Sequence, residues 1–195
     1  MHQPVKLLVG LGNPGMQYKH TRHNAGEDFV RALCARDAIE LKEDKRFFGH
    51  TAECPHPAGG KLRLLIPTTF MNRSGQSVAA LANFFKIEPN SILVAYDELD
   101  LEPGVVRFKF DGGHGGHNGL RDIVSSLANR RDFYRLRIGI GHPGNASQVT
   151  GHVLGKASED DQAAINRACD NAERALPLAL AGEWEKAMHQ LHTRD

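Results

Sequence analysis

The chain has three cysteines in 195 residues, Cys34, Cys54 and Cys169, far apart and without a CxxC pair. That spacing argues against a disulfide framework or a zinc ribbon and fits a reducing compartment. No apolar run approaches the ~18 residues that a membrane span needs, and the opening Met-His-Gln-Pro-Val-Lys has none of the marks of a signal peptide. The expectation is a soluble, cytoplasmic protein. A formal net charge of +1 creates no global field, so a polyanionic partner would have to be held by a local cluster of Lys and Arg. Repeats, low-complexity tracts and linkers are also missing, and 195 residues that are 41% hydrophobic suit a single domain over 1–195. No GxSxG elbow occurs, and no cysteine adjoins the polar motifs described next, so covalent acyl transfer lacks a recognisable nucleophile.

What is present begins with the stretch Leu7 to Gly26. Lys6 to Val9 reads as a short buried strand, and Gly10, Gly12 and Gly15 around Asn13-Pro14 let the backbone turn where side chains would clash. Asn13 is lifted onto the strand's carboxyl end. The run Lys19 to Asn24 has no apolar periodicity, and packing resumes with Ala25, Phe29, Val30 and Leu33, so a helix starts at about Asn24. Asn24 and Glu27 have the spacing of a capping box. His23 then abuts a positive helix end, which biases it toward the neutral base. Gly10 to Gly15 also matches the dinucleotide pattern GxGxxG, but a polar loop stands where that motif opens its helix.

Further along, Phe47 to Thr51 and Leu62 to Pro67 read as two outlying strands around a Pro/Gly-rich loop. Phe70, Met71 and Asn72 are delivered from a loop just before a helix with Val78, Leu81, Ala82 and Phe85 on its core face. Ser91 to Tyr96 is a near-continuous apolar run, the signature of a central strand buried on both faces, and Asp97 leaves its carboxyl end. Val105 to Phe110 alternates apolar residues with Arg107 and Lys109. It runs into Asp111-Gly-Gly-His-Gly-Gly-His-Asn-Gly119, which presents His114, His117 and Asn118 and opens onto a helix N-terminus, a ready anion site. Phe133 to Gly141 is another strand, carrying Arg135 and Arg137. From about residue 158, capped by Ser158, come C-terminal helices that read as packing elements. The order implies a single-domain α/β fold, a mixed, mostly parallel twisted sheet with helices on both faces.

Four loops at strand ends thus converge in type: Asn13 with His23, Phe70 to Asn72, Asp97, and His114 to Asn118. A neutral histidine held by a carboxylate can take a proton from water, while asparagine amides donate to an oxyanion or grip an acyl substrate. The residues therefore point to a hydrolase of an acyl or amide substrate with an anionic partner. A metal-dependent hydrolase using His20, His23, His114 or His117 and a non-catalytic RNA-binding module remain as alternatives.

The motifs Val-Gly-Leu-Gly-Asn-Pro-Gly, Thr-Arg-His-Asn-Ala-Gly, Pro-Thr-Thr-Phe-Met-Asn, Asp-Glu-Leu-Asp and Gly-Gly-His-Gly-Gly-His-Asn-Gly-Leu, in order over about residues 5 to 156, resemble bacterial peptidyl-tRNA hydrolases. The resemblance implies a metal-free, cofactor-free, usually monomeric enzyme that cleaves the ester between a peptide and its tRNA, freeing the tRNA for translation. It implies His23 as catalytic base, Asp97 as the group stabilising its basic form, and Asn13 as the sensor of a blocked amino group. Tyr18, Phe70, Asn72, His117 and Asn118 would contact substrate, and Met71 would line the peptide groove. Lys109 and Arg137 fall at the family's clamp for the tRNA 5′-phosphate.

Overall fold

A computed structural model of the chain describes residues 3–193. One seven-stranded sheet, in the order β2-β3-β4-β1-β5-β7-β6, forms its centre. Its strands are β1 (Leu7–Gly10), β2 (Lys42–Asp44), β3 (Gly49–Pro55), β4 (Lys61–Pro67), β5 (Ile92–Glu98), β6 (Val106–Phe110) and β7 (Tyr134–Gly139). The inner strands β4, β1, β5 and β7 run parallel, and β2–β3, β3–β4 and β6–β7 are antiparallel ladders. The expected mixed α/β sheet is present. Six helices accompany it: α1 (Ala25–Arg36), α2 (Ser74–Phe85), α3 (Asn118–Ser126), α4 (Val149–Leu154), α5 (Glu159–Leu180) and α6 (Trp184–His192).

The period-two alternation of β1 divides the core. Leu8 points to a layer with Phe29, Val30 and Leu33 of α1, Leu176 of α5 and Trp184 of α6. Leu7 and Val9 point the other way, to Val78 and Leu81 of α2 and Leu120 and Ile123 of α3. Because each face is covered by helices, the inner strands are largely buried, and β5 is buried from Ile92 to Asp97, which is why it reads as an unbroken apolar run up to Tyr96.

Two strand expectations need correction. β4 is not outlying but pairs with β1, its Leu64, Leu65 and Ile66 fully buried. An additional edge strand, β2, lies in the charged segment, invisible to a hydrophobic pattern because Lys42 and Glu43 are exposed. Phe47 belongs to a 3-10 turn, Lys45–Phe47, and the following Phe48 takes a left-handed conformation, so β3 begins only at Gly49.

One contact sets the geometry of the carboxyl end of the sheet. α1 approaches β5 so closely that a Cβ on Gly26 would lie 2.0 Å from the Ala95 carbonyl oxygen. The backbone is stitched there by Leu11 N to Ala95 O (3.1 Å) and Glu27 N to Leu11 O (2.9 Å). His23 lies three residues before this joint and Asp97 two residues after it.

Candidate active site

The loops leaving β1, β4 and β5 emerge side by side, the place where open α/β sheets collect ligands. They enclose a cleft of about 260 Å³ lined by Asn13, His23, Phe70, Met71, Asn72, Asp97, His117 and Asn118, among others. Eight of the eleven residues singled out from the sequence therefore share one site. Tyr18 stands beside it, edge-on to Phe70 at 6.4 Å, and Lys109 and Arg137 lie outside its lining. Its apolar wall, Leu99, Val149, Val153 and Leu154, includes three residues of α4, none of which a sequence motif marks as part of the site. α4 also holds the turn that carries His23, through Arg22 N to Gly155 O (2.9 Å) and Arg22 Nη1 to His152 O (2.9 Å).

Asn13 is framed on three sides. Asn24 Oδ1 accepts from Asn13 N (2.8 Å), Asn24 Nδ2 donates to Asn13 O (3.0 Å), and Asn13 Oδ1 accepts from Met71 N (2.7 Å). Its side-chain nitrogen has no partner among the described residues. Asn24 thus precedes α1 as expected but forms no capping box: its amide is used up on Asn13, and Glu27 pairs with Arg31 instead.

Asp97 is buried, with one side-chain oxygen on each of two histidines. His23 Nδ1 and His117 Nε2 both lie at 2.8 Å. The helix start at Asn118 decides the tautomers. His117 caps α3 itself, its Nδ1 accepting from Gly119 N (3.1 Å) and Leu120 N (3.3 Å). An accepting Nδ1 puts the ring proton on Nε2, which donates to Asp97. The anion site expected at this helix N-terminus is therefore filled by the protein's own histidine. His117 is an anchor for Asp97 as well as a wall of the cleft.

The electrostatics follow from this triangle. Burial works to raise Asp97, but the two histidine N–H groups aimed at its oxygens outweigh it and hold the carboxyl well below its usual range. For His23, burial works to lower the pKa, and the neighbouring Asp97 carboxylate more than offsets it, so the pKa is raised. This corrects the expected bias toward the neutral form: a buried counter-ion at 2.8 Å outweighs a helix end. The ionised Asp97 accepts from His23 Nδ1–H, leaving Nε2 as the basic nitrogen.

His23, Asp97 and His117 are also close enough to hold a metal, their ligand atoms lying within 4.8 Å of one another. The hydrogen-bond network disfavours it. Ligation through His117 Nε2 would move the ring proton to Nδ1, against two backbone N–H donors. Covalent chemistry by cysteine is no better placed. Burial pushes the thiols of Cys34 and Cys169 up to about 11 and about 12, and neither lines the cleft.

Beyond the rim the sheet carries four cations on one face. Arg107 is paired across the ladder with Arg137, and Lys109 with Arg135. Like charges directly opposite repel, and each arginine is drawn to a separate acceptor. Arg137 donates to Glu98 (3.0 Å) at the edge of the cleft, and the buried Arg135 donates to the carbonyls of Gly112 and Gly113 in the glycine loop. Lys109 is exposed.

A peptidyl-tRNA hydrolase family model matches residues 7–195. Relatives named peptidyl-tRNA hydrolase include one from Alcanivorax borkumensis, 59% identical with 98% of each chain covered. Another, from Teredinibacter turnerae, is 58% identical over 99% of this chain and 100% of its own. The crystal structure of peptidyl-tRNA hydrolase from Acinetobacter baumannii matches with a TM-score of 0.95 and 48% identity, covering 100% of this chain and 98% of that one. With the match running almost end to end in both sequence and fold, the chain belongs to the peptidyl-tRNA hydrolase family.

Proposed function

We propose that the protein hydrolyses the ester joining a peptide to tRNA, with His23 Nε2 as the general base for water. The observation that carries this reading is the triangle His117–Asp97–His23, which orients one basic nitrogen in a cleft lined by asparagine amides and apolar side chains. Water attacks the ester carbonyl as His23 takes its proton. Asp97 stays ionised and stabilises the imidazolium. The amide of Asn118 is the available donor for the tetrahedral oxyanion, and the unpartnered amide nitrogen of Asn13 meets the acyl carbonyl of a blocked amino group. Collapse breaks the acyl–oxygen bond, and the departing ribose oxygen recovers the proton from His23. The products are a peptide carboxylic acid and free tRNA.

The wall of Met71, Val149, Val153 and Leu154 suits a peptide, with Phe70 and Asn72 at its edge. Tyr18 stands behind Phe70 and extends this surface. Lys109 and Arg137, on the cationic face beyond Glu98, receive phosphates of the tRNA acceptor end. The scheme takes its nucleophile from water and its base, carboxylate and amide donors from side chains of the cleft, so it calls for no metal or cofactor step, and we propose that the protein acts as a monomer. Among the described residues no helix is long and apolar enough to cross a membrane.

The deciding assay compares hydrolysis of N-blocked and unblocked aminoacyl-tRNA by wild type and His23→Ala. Preference for the blocked substrate and near-complete loss in His23→Ala are expected. Full turnover by the variant, or equal turnover of both substrates, would overturn the proposal.

A further inference from the structure

β6 is the last strand of the sheet, and an outermost strand leaves backbone groups without a strand partner. Here the amide of Phe108 points off the sheet to α6, donating to His192 Nε2 at 2.9 Å. The His192 carbonyl accepts from Arg107 Nη1 at 3.2 Å, which places a guanidinium at the negative end of α6. The helix is itself fixed. Trp184 stacks on Tyr134 of β7 with ring centroids 3.7 Å apart and meets the Phe108 ring edge-on at 5.5 Å. Lys109, the exposed cation of the basic face, is the next residue after Phe108.

We propose that His192 is a positioning residue for tRNA binding: its imidazole closes the open edge of β6 and so fixes the strand that presents Lys109. The inference rests on the reading of the β6–β7 face as the tRNA surface. It assigns a role to the C-terminal helix, which the sequence marks only as packing. The contact also depends on protonation. Nε2 accepts only while it carries a lone pair, and burial, followed by the charges of Arg107 on β6 and Arg137 on β7, lowers the pKa of this histidine. Asn171 of α5, lining the same groove, is uncharged. At neutral pH the edge is closed. In acid an Nε2–H would face the Phe108 N–H, donor against donor.

The test measures Kd for full-length deacylated tRNA, with kcat and KM for peptidyl-tRNA, in wild type, His192→Ala, His192→Gln, Lys109→Ala and the Lys109→Ala/His192→Ala pair. His192→Ala should weaken tRNA binding about 3- to 10-fold, the factor supplied by one net hydrogen bond, with kcat nearly unchanged. His192→Gln, whose amide oxygen can accept from Phe108 but cannot titrate, should restore binding. The ratio of wild-type Kd to His192→Gln Kd should rise as pH falls below the histidine range. In the double variant the His192 effect should largely vanish, because Lys109 is already gone. An unchanged Kd in His192→Ala, failure of glutamine to rescue, or strict additivity would overturn the inference. If the alanine variant is too unstable to assay, a flat pH ratio between wild type and His192→Gln overturns it alone. An unaltered Kd in Lys109→Ala would instead overturn the tRNA-surface reading, and this inference with it.

Discussion

Replacing Asp97 by asparagine is isosteric, yet the triangle around it makes one orientation of the new amide far better than the other. His117 is held by Gly119 and Leu120 with its proton on Nε2, so it needs an oxygen opposite. The amide oxygen must face His117, and the NH2 must face His23. His23 Nδ1 then becomes an acceptor and its proton moves to Nε2, the nitrogen that should take a proton from water. The reverse orientation restores the base but sets two donors together at 2.8 Å in a buried site, at a cost of about 1–3 kcal/mol for the unmade hydrogen bond. The trap accounts for roughly 10- to 100-fold, and loss of the charge that stabilises the imidazolium adds to it; the corresponding Asp→Asn change in a Ser-His-Asp triad lowers kcat on the order of 10⁴-fold, and a loss of similar size is expected for Asp97→Asn. Single-turnover hydrolysis measures it, with tRNA binding and thermal unfolding near wild type as controls. A second variant isolates the part played by His117. In Asp97→Asn/His117→Ala the amide is free to turn its oxygen to His23, so turnover should recover roughly 10-fold or more over Asp97→Asn, the equivalent of that hydrogen-bond penalty. A double variant no faster than Asp97→Asn alone would refute the account of His117.

Three other outcomes are expected. The rising limb of kcat against pH should inflect above the ordinary histidine value of 6.5, since Asp97 raises His23. As pH climbs through that inflection, stability contributed by the charged pair, fully present below the unfolded-state value, is lost while turnover rises; an inflection below 6.5 would contradict the assignment. Asn13→Asp keeps an acceptor for Met71 N and should hold its melting temperature, whereas Asn13→Ala strands that buried donor and should lose about 1–3 kcal/mol in denaturant unfolding. Both should discriminate poorly between blocked and unblocked substrates, and an unchanged preference would remove Asn13 from recognition. Gly26→Ala should cost about 3 kcal/mol or fail to fold, because its Cβ meets backbone rather than a movable side chain; near-native stability in chemical denaturation would disprove that contact.

Much of this site was legible because it sits where pattern breaks. The apolar run of β5 stops at Asp97, the apolar period of α1 starts just after His23, and the glycines around His114 and His117 mark a loop. What stayed hidden depends on partners distant in sequence. That His117 serves Asp97, 20 residues away, needs the β5–β7 register and the α3 start together. Asn24 carries a capping signature, but its amide is claimed by Asn13, which no local rule anticipates. The rise in His23 has the same origin, a counter-ion 74 residues downstream. α4 is six residues long, too short for helical periodicity to register, and β2 is a charged edge with no buried face. The fold class was accessible from strand and helix order, while the interior place of β4 emerges only from its pairing with β1.

The facing cations of β6 and β7 bear on how the molecule behaves without its partner. Two like-charge pairs stacked across one ladder, Arg107 with Arg137 and Lys109 with Arg135, set cations side by side along that strip, and Glu98 on Arg137 offsets the repulsion only in part. Mobile anions relieve such a strip, so moderate salt should raise the melting temperature of the free protein even as it weakens the surface ion pairs elsewhere. A polyanion seated on the strip relieves it more fully and adds its own binding free energy to the folded state. If the strip is the tRNA surface proposed above, heat resistance becomes a gauge of occupancy, highest for a molecule engaged with its substrate and lowest for one left idle in dilute buffer.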